Sequence, residues 1–122
     1  MLLAVAYDGV AFSGWAPQRA VATVAGALDR AIANVDPAAT RVRGASRTDA
    51  GVHARGQLVA FDTGRTISAR GWVHAINDNL PATVAVARAA AVAPGFDPRR
   101  AARGKRYRYL MLGAPVRDPH WE

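Results

Sequence analysis

The sequence predicts an α+β fold of the ferredoxin-like, split βαβ type: an antiparallel sheet with helices on one face, built as one domain over residues 1–122. The elements read in the order β-α-β-β-α-β-β, a split βαβ with one extra strand. Both helical segments are apolar along a single stripe, so each has a face to bury. The chain has 122 residues, 51% of them hydrophobic, and no cysteine. That length is enough to bury a core without disulfide staples.

Leu2–Tyr7 is a short apolar run closed by Asp8-Gly9, which predicts a buried strand and a turn. A loop rich in glycine and polar residues follows from Asp8 to Arg19, anchored by Phe12 and Trp15. Val24, Leu28, Ile32 and Val35 then recur at helical spacing, with Thr23 as N-cap and Asp36-Pro37 as the stop. Thr40–Ala45 reads as a strand that delivers a polar loop, and Gln57–Asp62 as the strand that receives it. Ser68 caps a second helix whose Trp72, Ile76 and Leu80 face inward until Pro81 ends it. Thr83–Val92 alternates with Val84, Val86, Arg88, Ala90 and Val92 on one side, a strand with a mixed face. Arg106–Leu112 is the last expected strand, with Tyr107, Tyr109 and Met111 together. Helices on one face leave the other open to a ligand, and RNA-binding modules of the same plan use it so.

Sixteen basic against nine acidic residues give a net charge of +7 and a pI near 11.2, which suits a polyanionic partner, nucleic acid before membrane. Arg99, Arg100, Arg103, Lys105, Arg106 and Arg108 stand together with no acid among them. A solvated basic face is the plain explanation of such a run. This one leads into Tyr107-Arg108-Tyr109, and phosphate attraction with base stacking are the two terms of single-strand RNA binding. Leu2–Ala6 lacks a basic leader and is too short for a signal peptide, and Thr83–Ala93 is broken by Arg88 and too short to span a bilayer. The expectation is a cytoplasmic protein with no membrane partner. His53, His74 and His120 show no metal-ligand spacing, so no metal is expected.

The most informative stretch is Gly44-Ala45-Ser46-Arg47-Thr48-Asp49-Ala50-Gly51-Val52-His53-Ala54. It sets a carboxylate between a cation and an imidazole, among residues small enough to let other groups approach. It is too polar for a core strand and lacks helical period, so it is a loop, and loops of this kind serve chemistry or binding more often than packing. Read without context, Thr48 or Asp49 caps a turn about as often as it does chemistry.

Arg47-Thr48-Asp49-Ala50-Gly51-Val52-His53-Ala54 resembles the signature of the tRNA pseudouridine synthase A family. Tyr7-Asp8-Gly9 with Phe12-Ser13-Gly14-Trp15, Asn77-Asp78-Asn79-Leu80-Pro81, and Lys105-Arg106-Tyr107-Arg108-Tyr109 are similar to three further family segments, in the family's order. The resemblance runs from about Leu3 to Leu112 and implies the N-terminal half of a pseudouridine synthase fold. It implies isomerisation of uridine to pseudouridine in the anticodon stem-loop of tRNA, with Asp49 as the catalytic carboxylate. The reaction breaks an N-glycosidic bond, turns the base and rejoins it through carbon. It moves no electrons and imports no group, so no cofactor is expected. A carboxylate beside the sugar serves as nucleophile or charge partner, or begins by deprotonating the sugar. Arg47 favours the ionised carboxylate if the two side chains face each other. In the family it helps hold the target nucleotide out of its stack, which base chemistry within a fold of RNA demands. Tyr107 matches the tyrosine that stacks on the flipped uracil. Taken alone it reads as an ordinary strand aromatic. His53 is expected to bond the loop or a phosphate, and Arg103, Lys105 and Arg106 to meet phosphates.

The chain also departs from the family pattern. Ser46 stands where a glycine is usual, a mild change if its φ is negative. Ala16-Pro17 follows Trp15 in place of a glutamine, and Phe96-Asp97-Pro98-Arg99 matches its counterpart loosely. Family members are about twice as long, and their second half supplies the other wall of the cleft with a basic partner for the aspartate. The resemblance therefore implies that this chain alone is incomplete for activity, with a homodimer for the full-length family and self-association for this chain. The alternative is a non-catalytic ferredoxin-like RNA-binding module. A carboxylate-dependent hydrolase needs a second acid near Asp49, and Asp62 falls at the far end of a strand.

Overall fold

Strict alternation in Leu2–Tyr7 sets the sheet. In the computed structural model, which describes residues 1–111 and 113, this is β1, with Leu3, Val5 and Tyr7 buried and Leu2, Ala4 and Ala6 half-exposed on the opposite face. The remaining elements are α1 (Val24–Val35), β2 (Arg43–Gly44), β3 (Ala54–Ala60), α2 (Ala69–Asn77), β4 (Val84–Ala90) and the short α3 (Pro98–Ala101). The strands form one sheet in the order β2-β3-β1-β4 with every pairing antiparallel, an α+β architecture.

Both long helices start where their caps stand. The Thr23 hydroxyl accepts from the Gly26 amide and the Ser68 hydroxyl from the Gly71 amide, which satisfies one orphan donor in each first turn. Val24, Leu28 and Ile32 of α1 and Trp72 and Ile76 of α2 pack with Leu3, Val5, Val59, Phe61, Val84 and Val86 into one apolar cluster. Each such side chain contributes roughly 1.5–3 kcal/mol by leaving water. α2 ends at Asn77, one turn short of Leu80. The Asn77 side chain then accepts from the Val86 amide at 2.8 Å and donates to the Val86 carbonyl at 2.9 Å, behaving as a strand neighbour on the outer edge of β4.

The mixed face expected of Thr83–Val92 has a specific origin. Val5 pairs with Val86 while Ala4 pairs with Arg88, so Ala87 is an extra residue in β4. That bulge turns Ala89 toward the core and releases Arg88 to the surface. A second irregularity lies between Val5 and Tyr7, where Tyr7 meets Ala54, and it bends β3 where the polar loop enters it. β3 accordingly begins at Ala54, earlier than Gln57. β2 keeps only Arg43–Gly44 of the expected Thr40–Ala45, because Thr40 bonds Asp62 through its amide and hydroxyl instead of through a regular ladder.

The expected final strand is corrected. Residues 102–111 carry no strand, and Tyr107, Tyr109 and Met111 are 60%, 84% and 92% exposed. The alternation is present, but a strand exists only by pairing, and no described segment lends this run a backbone. Leu112, His120 and Trp121 lie outside the described residues.

Candidate functional site

The polar loop joins β2 to β3 and is gripped from within. Ala45 is buried, Ser46 and Thr48 are half-buried, and Arg47 and Asp49 are exposed between and beyond them. The inward residues are tied to the sheet. The Gln57 amide donates to the Ser46 carbonyl at 2.7 Å. The Tyr7 hydroxyl shares a 2.8 Å hydrogen bond with the Thr48 hydroxyl, and the Trp15 amide donates to the Thr48 carbonyl at 3.0 Å. Fixing residues 46 and 48 inward turns Arg47 and Asp49 outward on the same side. A Val52 amide bond to the Asp49 carbonyl at 3.1 Å closes the turn, with Gly51 at φ +81° supplying its left-handed residue.

The loop from Asp8 to Trp15 lies against this one so closely that only glycine fits. A Cβ on Gly9 would stand 2.0 Å from the Val52 carbonyl oxygen, and one on Gly44 would stand 2.8 Å from the Trp15 ring. Gly14 combines φ +94° with a Cβ position 3.1 Å from the Thr48 carbonyl oxygen. Phe12 and Trp15 are buried anchors of this buttress, and Trp15 lies 6.2 Å from the Tyr7 ring, tilted by 32°. The Tyr7 phenol is held above its ordinary range by burial, partly offset by the Thr48 and Gln57 hydrogen bonds.

His53 lies against the Asp8–Trp15 loop. The Gly9 amide nitrogen lies 3.2 Å from Nδ1. The Asp8 carboxylate lies 3.2 Å from the same Nδ1, an ion pair only for the protonated ring. Among the described residues the Asp49 carboxylate has no hydrogen bond or ion pair, and Arg47 forms no ion pair with it. The positive-φ non-glycine residue is Ala20, so Ser46 sits at negative φ and its substitution for glycine strains nothing.

Two open depressions meet at Trp15, Ala16 and Arg47. One, of about 430 Å³, is lined by Ser13, Gln18, Thr48 and Asp49. The other, of about 550 Å³, has Arg43, Arg99, Lys105 and Asp97 on its walls. Arg99 reaches it because Arg43 clamps the approach to α3: its guanidinium donates to the Phe96 carbonyl at 2.9 Å and pairs with Asp62 at 3.2 Å. Asp62 is thus engaged at the opposite end of β3 from Asp49. Lys105 comes to the Arg47 side, whereas Arg103, Arg106 and Tyr107 are exposed in the segment after α3. No cluster of His, Cys, Asp or Glu able to hold a metal occurs among the described residues, nor any helix long and apolar enough to cross a membrane. Sequence reading singled out Asp49 and Arg47 but not Tyr7, Gln57 and Gly9 as their supports. The glycines in Tyr7-Asp8-Gly9 and Phe12-Ser13-Gly14 were the available signal.

A family model described as tRNA pseudouridine synthase matches residues 3–99. Curated relatives called tRNA pseudouridine synthase A include a Neisseria gonorrhoeae protein, 44% identical over 96% of this chain and 44% of its own length. Those from Myxococcus xanthus and Geobacter sulfurreducens are 40% and 41% identical, over 98% and 96% of this chain. The chain spans 47% and 48% of those two proteins.

Proposed function

The chain belongs to the tRNA pseudouridine synthase family, and on that premise we propose that it carries the catalytic loop of an enzyme that isomerises uridine to pseudouridine in the anticodon stem-loop of tRNA. Asp49 is the catalytic carboxylate. The observation that carries this reading is its presentation: an exposed carboxylate, unengaged among the described residues, on a loop tied down at Ser46 and Thr48. An acid that served only to cap a turn would spend its oxygens on nearby amides, as Asp8 does on Val10 and Asp97 on Arg99.

In this reaction the N1–C1′ bond breaks, the uracil turns, a C5–C1′ bond forms and the C5 proton leaves to water while N1 gains one. Asp49 attacks or electrostatically supports C1′, or draws a proton from the sugar. Arg47, on the ridge between the two depressions, braces the vacated stack. Tyr107 stacks on the turned base, and His53 holds the loop. Arg103, Lys105 and Arg106 meet phosphates, with the basic wall of Arg43, Arg47 and Arg99 beside Lys105 as supporting geometry. No cofactor takes part. The strand order and antiparallel pairing support a ferredoxin-like unit over residues 1–122. The working enzyme is read as a cytoplasmic homodimer that closes the cleft with further protein. The exposure of Asp49 supports that last point, since catalysis by charge needs water excluded.

Asp49→Asn in the full-length enzyme tests the assignment. Tritium release from uridine labelled at C5 is expected to stop, with tRNA affinity unchanged within a few-fold. Residual turnover near the wild-type rate would remove Asp49 from the chemistry. Binding of tRNA by the full-length wild type with no tritium release at all would favour the RNA-binding module instead.

A further inference from the structure

We propose that Tyr7 and Thr48 are a positioning pair for Asp49: the hydroxyl bond between them fixes the residue before the aspartate and so sets where its carboxylate stands. The inference rests on Asp49 being the reacting group. Thr48 is held through both its side chain and its carbonyl, by the Tyr7 hydroxyl at 2.8 Å and the Trp15 amide at 3.0 Å, partners from two separate segments, whereas Ser46 is held at both points by Gln57 alone. With the peptide before Asp49 fixed, and its own carbonyl tied to the Val52 amide, little beyond its side-chain torsions stays free.

Tyr7 is built for this task. It ends β1, is only 5% exposed, and has its ring set beside Trp15, so the hydroxyl has little freedom to wander. Burial holds the phenol protonated through the ordinary pH range, which keeps a proton available for the bond. Gln57, also buried, pins Ser46 from the same side of the sheet. Ser46 and Thr48 are therefore drawn inward from one face, and Arg47 and Asp49 emerge together on the other. The partners lie 41 residues apart, so the bond couples the sheet itself to the loop. The glycine contacts hold the two loops together without it. The hydroxyl bond supplies the finer placement that a carboxylate needs at a reacting carbon.

The test uses the full-length enzyme. Tyr7→Phe and Thr48→Val each remove one hydroxyl and keep the shape. Each is expected to lower kcat about tenfold with KM for tRNA unchanged, because an ångström-scale misplacement costs rate and not binding. Thr48→Ser restores the hydroxyl and most of the rate. The double variant is no slower than the worse single one, as expected of a shared interaction. Amide exchange read by mass spectrometry gives a second measure: faster exchange across 48–52 in Tyr7→Phe, with β1 and β3 unchanged. Unaltered kcat in Tyr7→Phe, or kcat falling only in step with Tm and global exchange, would overturn the proposal. Full turnover in Asp49→Asn would defeat its premise, whereas full turnover in Tyr7→Phe beside a dead Asp49→Asn would defeat this inference alone.

Discussion

The loop over 45–53 and the basic segment over 102–111 both carry recognisable motifs, yet the molecule treats them oppositely. The first is held at Ser46, Thr48 and His53 by bonds from β1, β3 and the buttress loop, and closed on itself by the Val52 amide bond to Asp49. The second leaves Tyr107, Tyr109, Leu110 and Met111 mostly exposed and unpaired in regular structure. A loop can be fixed by side chains and close glycine contacts within its own fold. A strand-like run has only its backbone to offer, so its order depends on a neighbour, whether protein or RNA. The two regions differ accordingly: one is fixed by bonds within its own fold, and the other is exposed and outside regular structure.

Gly9→Ala attacks the preorganised region most severely. Its Cβ would overlap the Val52 carbonyl oxygen at 2.0 Å, a rigidly placed atom against backbone, so the two loops must part. A cost of about 1–3 kcal/mol is expected from overpacking of this kind, with a Tm lower by roughly 5–15 °C in a melt followed by circular dichroism. Turnover should fall further than stability. Gly56→Ala is the control, since its Cβ meets nothing within 4 Å. Equal melting of the two variants would mean that the loops are not interlocked.

Tyr107→Ala tests the second region. An exposed tyrosine contributes little to the free fold, so the melting temperature should stay within about 2 °C. Stacking on one base is worth about 1–3 kcal/mol, so turnover should drop roughly tenfold while tRNA affinity changes less. A large loss of Tm would instead make Tyr107 a core residue in the full-length protein and erase the contrast.

Arg103→Gln with Lys105→Gln sharpens it further. Each phosphate contact adds about −0.7 to −0.9 to the slope of log K against log salt, so the double variant should flatten the slope by one to two units. Filter binding of tRNA across a salt series measures it, and an unchanged slope reduces the run to a solvated face.

The smallest effect lies at the boundary between the regions. The Gly95 amide, then the Arg43 guanidinium, hold the Asp62 carboxyl below its ordinary 3.8. Because the folded value is the lower one, this contribution is present above pH 3.8 and is lost as pH falls below it. Acid melts should show less decline in Asp62→Asn than in the wild type over that range. Identical acid curves would mean that Asp62 does not tether the chain leading into α3.

What sequence alone revealed follows the reach of each interaction. Thr23, Ser68 and the Val24/Leu28/Ile32 stripe act within a turn or two, and their helices begin and face as the pattern predicts. Asp49 and Arg47 stood out because their chemistry is concentrated in one octapeptide. The Tyr7–Thr48 and Gly9–Val52 contacts join residues more than forty positions apart and leave no local period to detect. The extra residue at Ala87 was equally hidden, since Thr83–Val92 alternates well enough either way until β1 fixes the register. The alternation over 106–111 forms no strand because alternation records what a segment can do, while pairing decides what it does.

Asn77 has a consequence for how copies of this protein behave at high concentration. Among the described residues β4 is a border strand, and a naked border invites foreign backbone to add to it, the route to stacked aggregates. By engaging both the amide and the carbonyl of Val86, the Asn77 side chain occupies that border with a surrogate peptide group. An intruding strand must first evict it, and gains no more hydrogen bonds at that position than it destroys.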